Sequence, residues 1–271
     1  TEVGRGIARQ AAEKLMPVSL ELGGKSPTIV FEDARIDHAV NGVIFGIFSS
    51  SGESCIAGSR LFVHRNILDQ FTDALVAKTA RLRIGDPAAE TTQMGPLVSM
   101  AHRDGIERYV ALGREEGGEI LIGGARPEDA GYTNPAGGDY AYGNGSFYLP
   151  TIFTGLGNDA RMVREEIFGP VLAILPFDDE EDLIAQANDT VFGLACGLWT
   201  EDYRRAWRLA RRIDAGTVWI NTYKLFSIAT PFGGLKDSGM GREKGRQGIR
   251  QYQEQKSLYW GTNDAPLGWA D

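Results

Sequence analysis

The sequence predicts an α/β fold built on an open, mostly parallel sheet flanked by helices, and two observations carry that expectation. Strand-like and helix-like segments alternate along most of the chain, the order that lays helices on both faces of one sheet. With 271 residues, 42% of them hydrophobic, the chain can bury a sizeable core as one large domain or two small ones.

Thr1 can N-cap a helix in which Ile7, Ala8, Ala11, Ala12 and Leu15 recur at helical spacing before Pro17 ends it. An extended segment over 18–22 follows. Residues 28–31 read as a strand, 36–48 as a helix, 60–63 as a strand, and 67–82 as a longer helix with Phe71, Ala74 and Leu75 on its apolar face. Helix resumes over 100–116. Between Gly123 and Gly145, glycine, proline and asparagine erase all periodicity, so a long surface loop is expected before an apolar segment over 147–153. Strands over 170–177 and 194–200 alternate with helices over 181–187 and 203–213, and 217–221 closes the series as a buried strand. Gly239, Gly241 and Gly245 imitate a dinucleotide fingerprint, but the spacing is GxGxxxG and no strand leads directly into it. A short helix over 247–253 then leads to a C-terminal strand-like segment, 256–260.

Composition excludes several function classes. Asp and Glu number 36 against 28 Lys and Arg, a net charge of −8, so nucleic acid and anionic membranes are poor partners. The nearest approach to a basic patch, Arg204, Arg205, Arg208, Arg211 and Arg212, falls at helical spacing and reads as a solvated helix face. Apolar runs break well before the ~18 residues of a membrane span. His38, His64 and His102 form no ligand pair with a cysteine, so no metal site is expected. Two cysteines and no signal peptide predict free thiols in a reducing, cytoplasmic compartment; a bridge between Cys55 and Cys196 stays open, with nothing to favour it. The first residue is Thr1 rather than Met, from which a fragment or a processed product is expected.

Cys55 stands in Ser49-Ser50-Ser51-Gly52-Glu53-Ser54-Cys55-Ile56-Ala57-Gly58-Ser59-Arg60, between an apolar run and a strand. At the first turn of a helix, unpaired N–H groups and the helix dipole would lower the pKa of such a thiol, which makes Cys55 a candidate nucleophile. Cys196, mid-strand among Leu194, Ala195, Leu198 and Trp199, reads as inert core. Upstream, Leu20-Glu21-Leu22-Gly23-Gly24-Lys25-Ser26-Pro27 puts an acid at the end of a strand-like run, with two glycines after it.

With Glu165-Glu166-Ile167-Phe168-Gly169-Pro170-Val171 and Pro231-Phe232-Gly233-Gly234-Leu235-Lys236-Asp237-Ser238-Gly239, these stretches resemble four motifs of the aldehyde dehydrogenase superfamily, in the family's order and over most of the chain. The resemblance implies the end of a Rossmann-like cofactor domain over 1–22, a catalytic domain over 23–236, and a return helix with an oligomerisation strand over 237–271. In the family that strand packs across a subunit interface, so a homo-oligomer, dimer or tetramer, is expected. The implied reaction oxidises an aldehyde to a carboxylic acid with NAD or NADP: Cys55 forms a thiohemiacetal and then a thioester, and Glu21 activates the water that hydrolyses it. The resemblance sets Glu166 at the nicotinamide ribose hydroxyls, Phe168 beside the nicotinamide, the backbones of Leu22 and Gly23 near the ring, and Phe226 and Phe232 along the aldehyde pocket. His102 falls where some relatives place a side chain near the cofactor ribose; a surface histidine near a helix start would look the same.

Glu21 favours the hydrolytic type over relatives that pass the acyl group to coenzyme A and usually lack the acid. Where relatives often carry asparagine and glutamine, this chain has Ser50 and Glu53, and Glu53 is expected to point away from the thiol, whose pKa it would raise. The strands that precede the first helix in the family, and the asparagine that helps hold the oxyanion, do not occur in the sequence. The chain alone is therefore expected to bind NAD weakly or not at all, and a non-catalytic fragment or assembly module stands as the alternative.

Overall fold

A computed structural model describes all residues except 136, 138–140, 263, 264, 266, 267, 270 and 271, so part of the loop expected over 123–145 lies outside the described residues. In chain order the elements are α1 (Glu2–Glu13), β1 (Leu20–Glu21), β2 (Pro27–Val30), α2 (Ile36–Phe48), β3 (Arg60–His64), α3 (Leu68–Thr79), α4 (Met100–Glu115), β4 (Glu119–Ile122), β5 (Thr151–Thr154), α5 (Arg161–Arg164), β6 (Val171–Phe177), α6 (Glu180–Asn188), β7 (Phe192–Gly193), β8 (Ala195–Trp199), α7 (Tyr203–Ala210), β9 (Thr217–Ile220), β10 (Leu235–Lys236), β11 (Gly239–Met240) and α8 (Gly245–Arg250). Seven strands form one sheet in the order β4-β5-β6-β3-β2-β8-β9. All neighbours run parallel except β4 and β5, which is the expected α/β class. Two short antiparallel ribbons, β1 with β11 and β7 with β10, complete the pairing.

The apolar runs sort by the two-residue period of a strand. Leu61, Val63, Leu172 and Ile174 join Val43, Ile47, Phe71 and Leu75 of α2 and α3 in one core. Phe62, Ala173 and Leu175 face the other way, onto Ile106, Leu183 and Leu209 of α4, α6 and α7. Both faces of the sheet are therefore covered, and burying each large apolar side chain contributes about 1.5–3 kcal/mol.

Arg60 opens β3 and is only 1% exposed. Its Nε donates to the Lys25 carbonyl at 3.0 Å, Nη1 to the Gln186 carbonyl at 3.1 Å and Nη2 to the Ala187 carbonyl at 2.7 Å. One guanidinium thus ties the approach to β2 to the end of α6, and the hydrogen bonds offset the cost of burying its charge. At the opposite end of the sheet, Asp33 accepts from Thr200 Oγ1 at 2.8 Å and pairs with Arg205 at 3.2 Å.

Several expectations are corrected. The arginines of α7 and just beyond it are not simply solvated: Arg205 lies 4.4 Å over the Phe31 ring and pairs with Glu32, Arg208 with Glu180, and Arg212 with Glu181. β9 is an edge strand rather than a buried one, with Trp219 covered and Ile220 40% exposed. Residues 256–260 form no strand within the chain, and Tyr259 is 94% exposed, because a strand needs a partner edge. The apolar segment 147–153 becomes strand only from Thr151, since Pro150 has no N–H to donate to a ladder.

Candidate active site

The loops that precede β2, β3 and β6 carry the motif residues Gly23 and Gly24, Cys55, and Glu166 and Phe168 respectively. The site therefore gathers at the amino ends of parallel strands, whereas ligands of open α/β sheets ordinarily lie beyond the carboxyl ends.

After α2 the chain passes through Ser50 at φ 56°, Ser51 at φ 55° and Gly52 at φ 74°. Left-handed backbone costs roughly 1–2 kcal/mol per residue with a side chain; here it breaks the helix and turns the chain back. Ser51 Oγ donates to the Gly95 carbonyl at 3.0 Å and holds the turn. Cys55 follows on a turn closed by Ala57 N–H to the Ser54 carbonyl at 2.9 Å, not at the start of a helix, so no helix dipole acts on it. The expected lowering of its pKa is corrected as well. Burial first, then negative Glu166 and Glu21, raise the thiol above its ordinary value, opposed by the N–H groups of Cys55 and Ile56. Glu53 faces elsewhere, accepting from Val98 N–H at 3.0 Å with His102 Nε2 3.5 Å away.

The motif loops interlock. A Cβ at Gly24 would collide with the Cys55 carbonyl oxygen, so only glycine lets the two segments touch. Gly24 N–H donates to Glu166 Oε1 at 2.9 Å, while Oε2 crosses Gly23 where a Cβ would stand. Burial raises the Glu166 carboxyl. Glu165 turns away, to Arg161 at 2.7 Å and the Tyr109 hydroxyl at 2.9 Å, so of the two acids only Glu166 faces the cysteine loop. Phe168 is left-handed at φ 57°, and its carbonyl lies 2.7 Å from His102 Nε2. His102 thereby braces the Phe168 loop, a contact the sequence reading missed.

Glu21 lies on the β1–β11 ribbon, its Oε1 2.9 Å from where a Gly233 side chain would begin. Solvent reaches one side of the carboxylate. Cover on the other side, helped by negative Glu243 and opposed by Arg242, pushes the carboxyl up to about 7. Leu22 N–H, next along, donates to the Ser238 carbonyl at 3.0 Å. Phe232 exchanges two backbone hydrogen bonds with Glu243, at 2.8 and 2.7 Å, and meets Phe226 edge-to-face at 5.4 Å. The aromatic pair and Glu21 thus adjoin through Gly233.

Lys25 also escaped the sequence reading, although it stands inside a quoted motif. Fully buried, it donates to the Met162 carbonyl at 3.0 Å, and burial, then positive Arg60, lowers its pKa to about 7. Cys196 is 0% exposed and pushed up to about 12 by burial. Both thiols are free. Among the described residues no group of three or more metal-ligating side chains is present, and no helix is long and apolar enough to cross a membrane.

The family model of the aldehyde dehydrogenase family matches residues 1–258. The chain belongs to the aldehyde dehydrogenase family. Betaine aldehyde dehydrogenase of Brucella anthropi is 46% identical over 265 residues, 97% of this chain and 52% of that protein. An aldehyde dehydrogenase of Bacillus cereus in complex with NAD+ superposes with a TM-score of 0.89 at 41% identity, covering 96% of this chain and 50% of that one. A Staphylococcus aureus betaine aldehyde dehydrogenase in complex with NAD+ gives 0.91 at 36% identity, covering 99% and 51%. The chain spans about half the length of the relatives it matches.

Proposed function

We propose that the chain carries the thiol-bearing half of an NAD(P)-dependent aldehyde dehydrogenase of the hydrolytic type. The observation that carries the reading is the convergence of three motif segments: Gly24, three residues after Glu21, touches the Cys55 carbonyl oxygen and binds Glu166, and both acids raise the thiol. Deprotonated Cys55 adds to the aldehyde carbonyl and forms a thiohemiacetal, whose oxygen the nearby backbone N–H groups stabilise. A bound nicotinamide supplies a hydride acceptor. The residues fit such a cofactor: Gly24 occupies Glu166 Oε1, while Oε2 accepts no hydrogen bond among the described residues and is a carboxylate acceptor for ribose hydroxyls. Phe168 presents an exposed ring for the nicotinamide, with the backbones of Leu22 and Gly23 beside it. Glu21 takes the proton from the water that cleaves the resulting thioester on Cys55, and its value near 7 suits that base at neutral pH. Phe226 and Phe232 wall the aldehyde side. A histidine-assisted hydrolase is disfavoured, because His102 and His64 are engaged with Phe168 and Glu32. Exposed Leu258, Tyr259 and Trp260 support self-association through the C-terminal segment.

An activated ester tests the covalent half of the cycle without a cofactor. p-Nitrophenyl acetate should acetylate Cys55, seen by mass spectrometry, with release of nitrophenolate. Glu21→Gln should accumulate the acyl form, with hydrolysis slowed about a hundredfold. Acetylation spread over lysines, or equal hydrolysis in the variant, would overturn the assignment and leave the non-catalytic module.

A further inference from the structure

We infer that the site selects aldehydes carrying a negative charge and disfavours those carrying a quaternary ammonium group, with Lys224 as the specificity-determining residue; this rests on Cys55 being the residue that receives the aldehyde. The curated relatives are named for betaine aldehyde, which bears a trimethylammonium group. Glu166 and Glu21 act on the thiol and serve the cofactor and the water in the proposed cycle; the charges on the segment leading to Cys55 and over the aromatic pair are Lys224 and Lys244, which argue for the opposite sign.

Lys224 follows Tyr223, whose hydroxyl donates to the Ile56 carbonyl at 2.9 Å and so fixes this segment to the cysteine loop. The Lys224 backbone is left-handed at φ 54°, and its half-buried Nζ donates to Ser49 Oγ at 2.7 Å, 5.7 Å from the Phe45 ring centroid. No carboxylate lies within salt-bridge distance of it among the described residues. Burial pulls its pKa down and negative Cys55 opposes that, while the hydrogen bond to Ser49 fixes the ammonium on the segment that leads to Cys55. A partly desolvated cation whose partners are a hydroxyl and a ring gains from an anion brought near it.

The aromatic side repeats the pattern. A quaternary ammonium group is ordinarily recognised by open aromatic faces. Here Lys244 Nζ already stands 4.0 Å from the Phe226 centroid and 5.7 Å from that of Phe232. The face that would receive a cationic substrate holds the protein's own cation. Beside Phe45 and Ser49 a groove of about 460 Å³ opens, lined also by Lys78, Arg81 and Arg83 and by no Asp or Glu. In a chain of net charge −8, this is a local positive field that concentrates anions beside Ser49, the partner of Lys224.

The test reads charge preference at Cys55 directly. Two methanethiosulfonates of similar size, one ending in sulfonate and one in trimethylammonium, are each reacted with the chain, and Cys55 modification is followed by mass spectrometry. Each rate is divided by that reagent's rate with a small neutral thiol, and unmodified Cys196 reports an intact core. The anionic reagent should be favoured about tenfold or more. Lys224→Gln should bring the ratio towards one and Lys224→Arg should keep it. A cationic reagent that reacts as fast or faster in the unaltered chain, or a ratio unmoved by Lys224→Gln, would overturn the inference. The reagents need neither Glu21 nor a cofactor, so a failed acetylation by the ester with a surviving charge preference would sink the oxidation reading and leave the anion-selective pocket standing.

Discussion

The two cysteine environments of the chain hold the same atom in opposite settings. Cys196 lies inside β8, under α6 and α7, with its Sγ 3.5 Å from the Gly197 carbonyl and burial as the main influence on its pKa. Cys55 lies on a loop forced back by two left-handed serines, half-covered, with two carboxylates and two backbone N–H groups acting on it. Neither thiol is made acidic by its fold. The difference is access together with neighbours that can move a proton, so the nucleophile proposed at Cys55 rests on its company more than on its resting pKa.

The sharpest way to break that comparison is to exchange the sulfur for oxygen at each position. Cys55→Ser should cut acyl transfer from the activated ester by about a thousandfold or more. Cys196→Ser should leave it nearly unchanged and instead cost about 1–3 kcal/mol in urea unfolding, by burying a poorly partnered hydroxyl. Next, Arg60→Met leaves the carbonyls of Lys25, Gln186 and Ala187 without their donor; a loss of about 3 kcal/mol or more is expected in the same unfolding measurement.

Thioester hydrolysis should rise with pH to a plateau with a midpoint near the Glu21 value of about 7, a limb that Glu21→Gln removes. Because that carboxyl is raised above its unfolded value of about 4.5, the linkage runs the other way for stability. The contribution is complete below the unfolded pKa and is lost as pH rises through about 7, so the difference in stability between Glu21→Gln and the unaltered chain should shift in favour of the variant between pH 5 and 8.

Iodoacetamide labelling of Cys55 should rise at a pH above the ordinary thiol value of about 8.5. Glu166→Gln removes the largest charge effect on it, and labelling at pH 8 should quicken a few-fold. The smallest effect is expected at exposed Ser50, φ 56°: Ser50→Gly relieves left-handed strain and should stabilise by about 1 kcal/mol in urea unfolding.

Much of the fold was legible. Alternating apolar segments gave the parallel sheet, and the helix expected over 36–48 has those bounds. Four motifs marked the segments that meet. Their meeting place was not legible, because sequence order states which loops precede strands but not that glycines let them touch. The cysteine turn was missed for a local reason: a run of serines carries no strong left-handed signal, unlike asparagine or glycine. β9 reads as buried because Val218, Trp219 and Ile220 are apolar, yet its outer side has no strand partner among the described residues. The burial of Arg60 and Lys25 was not legible, since no pattern reveals that a backbone will fold its carbonyls around them.

Strand polarity divides the molecule's labour. The thiol, the acids and the aromatic pair belong to the amino-end side, whereas Asp33, Thr200, Glu180 and Arg205 lock the carboxyl ends of β2, β8, β6 and their following helix. An engineer who wishes to tether this chain to a surface, attach a dye or insert a reporter therefore has a choice of ends. Attachment near that carboxyl-end lock trades on bracing alone and leaves the cysteine loop clear for whatever substrate approaches it.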